Sequence, residues 1–182
     1  MLLDQYRGLA KYNSWMNRKV LDACAQLDDS TRKRDLGAYF GSIHGTLNHV
    51  LLADRAWMMR FTGDETRFAF RNDAGEPVRI RSLDQELHSD FDTLRRERER
   101  LDEAIELWVF GLDQPTIERT LRWYSMNRKR EYEQPLWWAI SHFFNHQTHH
   151  RGQLGTLLNQ LGLDLGVTDL GLFIAEDGRV EE

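Results

Sequence analysis

Four of the chain's 7 histidines fall within one stretch, from Trp137 to Leu154: His142, His146, His149 and His150. On a helical wheel at roughly 100° per residue with His146 at zero, His150 lies near +40°, Phe143 and Leu161 near +60°, Leu154 near +80°, and Ile140 and Leu158 near +120°. His146 and His150 therefore sit on the border of the buried arc, while His142 and His149 fall outside it, near −40° and −60° by the same roughly 100° step. Histidines four apart on a helix are surface neighbours. Two neutral imidazoles so placed can grip one metal ion, and imidazole is the commonest metal ligand. The alternative for each is a hydrogen-bonded core histidine, and a third ligand from elsewhere decides between them. Gln153, near −20° on that roughly 100° wheel, is close enough to orient a ligand ring.

The third ligand comes from the helix predicted from about Ile43 to Thr62, with Ser42 as its N-cap. On it His49 shares an inward stripe with Leu52, Ala53 and Ala56. Two alanines beside a histidine leave room for an ion and something bound to it. His44 points elsewhere and is read as structural or exposed. Three histidines, His49, His146 and His150, suit Zn²⁺ or Ni²⁺ and leave a coordination position open, whereas a structural zinc site is normally closed by four protein ligands.

The elements that must position these residues follow from periodicity. A first helix spans about Leu2 to Leu27, its stripe interrupted by Asn13, which either bonds a neighbouring helix or lines a pocket. Asp28-Asp29-Ser30 reads as a polar turn, and Gly37 and Gly41 bracket a loop. Residues from about Gly63 to Arg81 form a long connection, pinned by Phe68, Phe70, Val78 and Ile80 as a short hairpin around Asp73-Ala74-Gly75. Ser82-Leu83-Asp84-Gln85 has a capping-box pattern and opens a third helix that runs to about Phe110. The run Arg95 to Arg100 alternates with glutamates and reads as a solvated helix face. A hairpin is expected between Glu118 and Gln134. Its Arg119, Arg122, Arg128, Lys129 and Arg130 form the chain's undiluted basic cluster, with Arg122, Arg128 and Arg130 as candidates for an anion-recognising rim. Pro135 starts the last long helix and Gly162 ends it. The segment from Asp164 to Ile174 is apolar enough to pack back, and Glu176 to Glu182 reads as a frayed tail. The expectation is one all-α domain over residues 1–182: a four-helix bundle with a long loop after the second helix and a small hairpin between the third and fourth.

Composition narrows the function. With 182 residues, 41% hydrophobic and 29% charged, the chain reads as globular. A net charge of −5 disfavours general nucleic-acid or anionic-membrane binding. The single cysteine, Cys24, excludes an intramolecular disulfide framework and reads as a small core residue. The N-terminus lacks a signal-peptide core and no run is long enough to span a bilayer, so a cytoplasmic location is expected. His146-Gln147-Thr148-His149-His150 has Gln where a zinc-protease helix carries its catalytic Glu. No Glu stands three residues before a His, as the di-iron bundles require. There is no P-loop, dinucleotide fingerprint or nucleophile elbow. Without an evident carboxylate to take a proton from water, a bound thiolate is the more comfortable nucleophile.

Three runs, Tyr12 to Asn17, Ser42 to Trp57 and His142 to Gln153, resemble the DinB family, the last through its His-x-x-x-His-Arg-Gly-Gln signature. The resemblance spans about Tyr6 to Leu170. It implies a four-helix bundle, often dimeric, that holds a divalent metal through His49, His146 and His150. Relatives include transferases and isomerases dependent on bacillithiol, mycothiol or glutathione. Three readings follow: transfer of a low-molecular-weight thiol to a small electrophile, metal-dependent hydrolysis of a small molecule, or a non-enzymatic metal-binding stress-response protein or dimerisation module. A homodimer acting on a small-molecule substrate is expected under the first two.

Overall fold

The computed structural model describes residues 1–125 and 128–176. The element order is α1 (Leu2–Ala25), α2 (Asp29–Lys33), α3 (Ile43–Thr62), α4 (Phe91–Phe110), α5 (Gln114–Glu118), β1 (Thr120–Ser125), β2 (Arg130–Pro135), α6 (Leu136–Gln160) and α7 (Leu170–Glu176). The long helices α1, α3, α4 and α6 form a four-helix bundle in which α1 and α3 each pack on both α4 and α6. Apolar stripes at helical spacing make this core: Tyr6, Ala10, Val20 and Leu21 of α1 meet Leu51 and Met58 of α3, Leu94, Leu101 and Ile105 of α4, and Ile140, Phe143 and Leu158 of α6.

Local chemistry sets the ends of α3. The Ser42 hydroxyl accepts the Gly45 N–H at 2.9 Å, and Gly63 closes the helix in the left-handed region at φ +72°. In the antiparallel hairpin, β1 pairs with β2 so that Trp123 faces Tyr132, and Leu136 opens α6 directly after Pro135. The apolar tail does pack back: Phe173 of α7 is buried against Tyr12, Trp15 and Met16. No described helix is long and apolar enough to cross a membrane.

Four expectations need correction. The third long helix starts at Phe91, not Ser82, with Asp90 as its cap through the Thr93 N–H at 2.8 Å. The backbone of residues 83–88 is claimed by α3 instead. Asn48 Oδ1 accepts the Leu87 and His88 N–H groups at 2.9 and 3.0 Å, and the His88 carbonyl accepts from Asn48 and His44. These bonds to a packed helix outcompete a capping box, which satisfies only local donors. The turn expected near Asp73-Ala74-Gly75 exists but amounts to one bridge, Arg71 to Pro77, rather than a hairpin of strands. Two short helices were not expected: α2 replaces a stretch read as a polar turn, and α5 fills the connection between the third long helix and the hairpin; Asp28 and Asp113 cap them through Thr31 and Thr116.

The fourth correction concerns Arg98. Its neighbours in the run are solvated, but Arg98 is 4% exposed, because it continues the inward stripe of Leu94, Leu101 and Ile105. It bridges Asp54 at 2.6 Å and Asp102 at 2.7 Å. Asn13 and Asn17 of α1 donate to Asp102, both at 3.0 Å, and Arg151 of α6 donates to Asn13. Asn13 thus ties three helices together inside the bundle.

Candidate metal centre and its cavity

His49 comes from α3, His146 and His150 from α6. Their Nε2 atoms converge: His146 lies 3.1 Å from His150 and 3.4 Å from His49, and all three fall within 4.8 Å of one another. His49 and His150 are 4% and 6% exposed. Burial lowers the basicity of all three. His146 is pushed down to about 3 and His150 to about 4, in each case by loss of water first; its ring neighbours add to the effect on His146. His49 is lowered by the same desolvation. At neutral pH the cluster is three uncharged imidazoles.

The bonds on the far sides of the rings assign their tautomers. His49 Nδ1 lies 2.7 Å from the Leu83 carbonyl, which can only accept, so Nδ1 carries the proton. His150 Nδ1 donates to Gln153 Oε1 at 2.8 Å, while the Gln153 amide NH₂ faces His149 Nε2 at 3.3 Å. Two bare Nε2 lone pairs therefore point at the His146 Nε2. That ring has one proton to offer and can satisfy only one of them, and its own Nδ1 is buried without a partner among the described residues. Acceptors facing acceptors in a dry site are unstable unless a cation lies between them. A zinc ion with Zn–N bonds of about 2.0–2.1 Å in tetrahedral geometry sets neighbouring nitrogens about 3.3–3.4 Å apart, close to the two separations found here. The residues present fit a three-histidine metal site with an open position.

Phe40 covers one side. Its ring stacks on His49 at 3.8 Å and 16°, held in a loop whose Gly37 and Gly41 adopt φ +71° and +74°. On another side, His49 and His146 border a cavity of about 500 Å³. Leu52, Ala53 and Ala56 of α3 and Trp57 and Trp123 give it an apolar wall, and beyond the two triad histidines its polar members are Arg60, Glu65, Ser125 and the exposed His142. The alanines on the His49 stripe thus leave open space beside the triad. His142 lies 5.9 Å from His146 and 5.2 Å from Trp57 between ring centroids, and is kept neutral by desolvation and by the Arg60 charge.

Of the other candidate residues, one reaches the histidine cluster and four do not. Gln153 holds His150. Asn13 belongs to the bundle's internal network. Arg122 is 79% exposed and pairs with Glu133 at 3.1 Å across the hairpin; Arg128 and Arg130 are exposed, the latter over Tyr132 at 4.5 Å. None of these three arginines lines the cavity. The cation that does is Arg60, which sequence reasoning passed over. Its signal was available, since it follows His49 by eleven residues and so returns to within about 20° of the same helix face. Phe40 had no such signal, because a loop has no period.

With the geometry described, comparison places the chain among known proteins. A protein of *Bacillus subtilis* (strain 168) called Protein DinB is 23% identical over 176 residues, 91% of each chain. A solved structure, YfiT from *Bacillus subtilis*, described as a probable metal-dependent hydrolase with an unusual four-helix bundle topology, superposes with a TM-score of 0.57 at 13% identity, over 88% of this chain and 89% of that one. The sequence model of the DinB family matches residues 1–179. A bundle whose second and last long helices bring His49, His146 and His150 together, on a chain matched along nearly its whole length, belongs to the DinB family.

Proposed function

We propose that the protein is a metal-dependent enzyme acting on a small molecule held in the cavity beside His49 and His146, and that it transfers a low-molecular-weight thiol to an electrophile. The observation that carries the reading is the convergence of three neutral Nε2 atoms, two of them bare, at the wall of a cavity of about 500 Å³. Zn²⁺ or Ni²⁺ suits that donor set. When bound, such an ion supplies a Lewis-acidic position that lowers the pKa of a coordinated thiol or water.

The chain's own residues do the rest. Leu83 and Gln153 fix the tautomers of His49 and His150. Phe40 and the apolar wall keep water from the rings. Among the described residues no carboxylate joins the histidine cluster, which favours a nucleophile that needs no protein base to remain deprotonated. The second reading, hydrolysis, is favoured by one specific observation: His142 is a neutral imidazole on the cavity wall and could accept a proton from water.

The test is turnover of a panel of electrophiles by zinc- or nickel-loaded protein, with and without thiols such as glutathione. Thiol-dependent turnover that vanishes in His146→Ala and survives in His142→Asn supports transfer. Turnover without thiol that falls in both variants supports hydrolysis. Protein that takes up neither metal above the His146→Ala background removes the basis for both.

A further inference from the structure

The cavity holds more recognition chemistry than a metal site needs. Arg60 is half-buried, and its guanidinium carbon lies over the Trp57 ring at 4.6 Å and the Trp123 ring at 4.9 Å. Among the described residues no carboxylate lies within ion-pair distance of it: Glu65 also borders the cavity but is exposed, and the salt bridges of the fold use other arginines. Desolvation alone lowers its basicity, with no acid nearby to offset it. The two indoles, their centroids 5.1 Å apart, sit on one side of the guanidinium, and its N–H donors make no hydrogen bond among the described residues, which leaves them free for the fork that fits a carboxylate. Beside it, the Trp123 indole N–H is buried without an acceptor among the described residues. A buried donor without a partner costs stability and is rare in a finished core. Unmet donors of Arg60 therefore stand on the wall of a predominantly apolar cavity that also takes in His49 and His146.

We propose that this cavity receives a small organic anion, its carboxylate held by Arg60 and its apolar body laid against Trp57, Trp123 and the small residues of α3, with the opposite end directed to the histidine cluster. The inference rests on the reading of the triad as a reaction centre and names the class of molecule that centre acts on. The hairpin arginines are not needed for it. The anion is either the thiol co-substrate or the electrophile, since both can carry a carboxylate.

The proposal is tested on the full-length, metal-free protein by following tryptophan fluorescence or calorimetry with 3-phenylpropionate and its neutral isostere 3-phenylpropanamide. A charge-assisted pair predicts that the acid binds about tenfold or more tighter than the amide. Arg60→Gln abolishes that preference while leaving the amide unchanged. Arg60→Lys, which keeps the charge but not the fork, retains part of it and guards against a folding defect in the first variant. Equal binding of acid and amide, no binding of either, or an acid preference that persists in Arg60→Gln overturns the proposal. With zinc loaded, 3-mercaptopropionate binding more tightly than propionate assigns the anion to the thiol, and equal binding assigns it to the electrophile. Because the acid–amide comparison uses no metal, its failure is separate from a failure of metal uptake.

Discussion

Two polar clusters lie side by side inside the same bundle, Arg151 next to His150 on α6 and Asp54 little more than a turn beyond His49 on α3, and they differ in kind. One joins Asp54, Arg98, Asp102, Asn13, Asn17 and Arg151. Arg98 bridges two carboxylates and amides link Arg151 to them; the void enclosed beside Asn17, Arg98 and Arg151 is about 10 Å³, and a cleft of about 560 Å³ touches the cluster only at Arg151. The other joins His49, His146 and His150. It is uncharged, its bare nitrogens face one another, and it opens on about 500 Å³. Buried charge balanced by charge is a fastening between helices. Buried acceptors without donors, next to room for a ligand, are what a cation and its guest would satisfy. Burial does not separate the two clusters; the pairing of opposite charges, present in the first and absent from the second, does.

The largest expected effect falls on the balanced cluster. Arg98→Ala leaves two buried carboxylates without their cation, and urea unfolding should show a loss of about 3–5 kcal/mol. A loss below about 1 kcal/mol, the scale of an exposed pair, would mean that water reaches the network and that the contrast is overdrawn. The histidine cluster should behave in the opposite way. His146→Ala should leave the metal-free protein close to wild-type stability. The wild type alone should gain about 2.7 kcal/mol at zinc a hundredfold above its dissociation constant, and lose it to a chelator. Thermal melts with and without zinc on both proteins check this; equal shifts in both would place the metal elsewhere.

A smaller effect is the pH dependence of the balanced cluster. Burial pushes the Asp54 carboxyl up to about 6, against 3.8 in the unfolded chain, and its Oδ1 lacks a partner among the described residues. The folded state then binds the proton more tightly than the unfolded one. This group's contribution is fully present below the unfolded value and declines as pH rises through the folded one. Unfolding free energies measured between pH 4 and pH 7 should show that decline, and Asp54→Asn should flatten it. The smallest effect is chemical. Cys24 is fully buried and its thiol is pushed up to about 12, chiefly by desolvation, so a thiol reagent should modify it only after unfolding. Rapid reaction of the native protein would show that the α1 face of the core opens.

Local signals were legible wherever they were strong. Ser42 and Gly63 bound α3 as their cap chemistry requires, Pro135 precedes α6, the hairpin falls close to where its alternation puts it, and the i, i+4 spacing of His146 and His150 puts both rings over one spot. The stripe on α3 pointed His49 inward with two alanines for company. The tail beyond Glu176, read as frayed, lies outside the described residues. What the chain could not disclose is whatever depends on a partner far along it. Residues 82–85 carry a helix signature, yet Asn48 and His49, more than thirty residues earlier, claim their surroundings and delay α4 to Phe91. Arg98 looks like its solvated neighbours until Asp54 and Asp102 are placed beside it. The hairpin arginines form the conspicuous basic run, but the cation on the cavity wall is Arg60, selected by the stacking of Trp57 and Trp123 from two different elements. Periodicity reports which side of a helix is dry. Which polar groups find partners there, and which are left facing an empty space, is settled only when the helices close on one another.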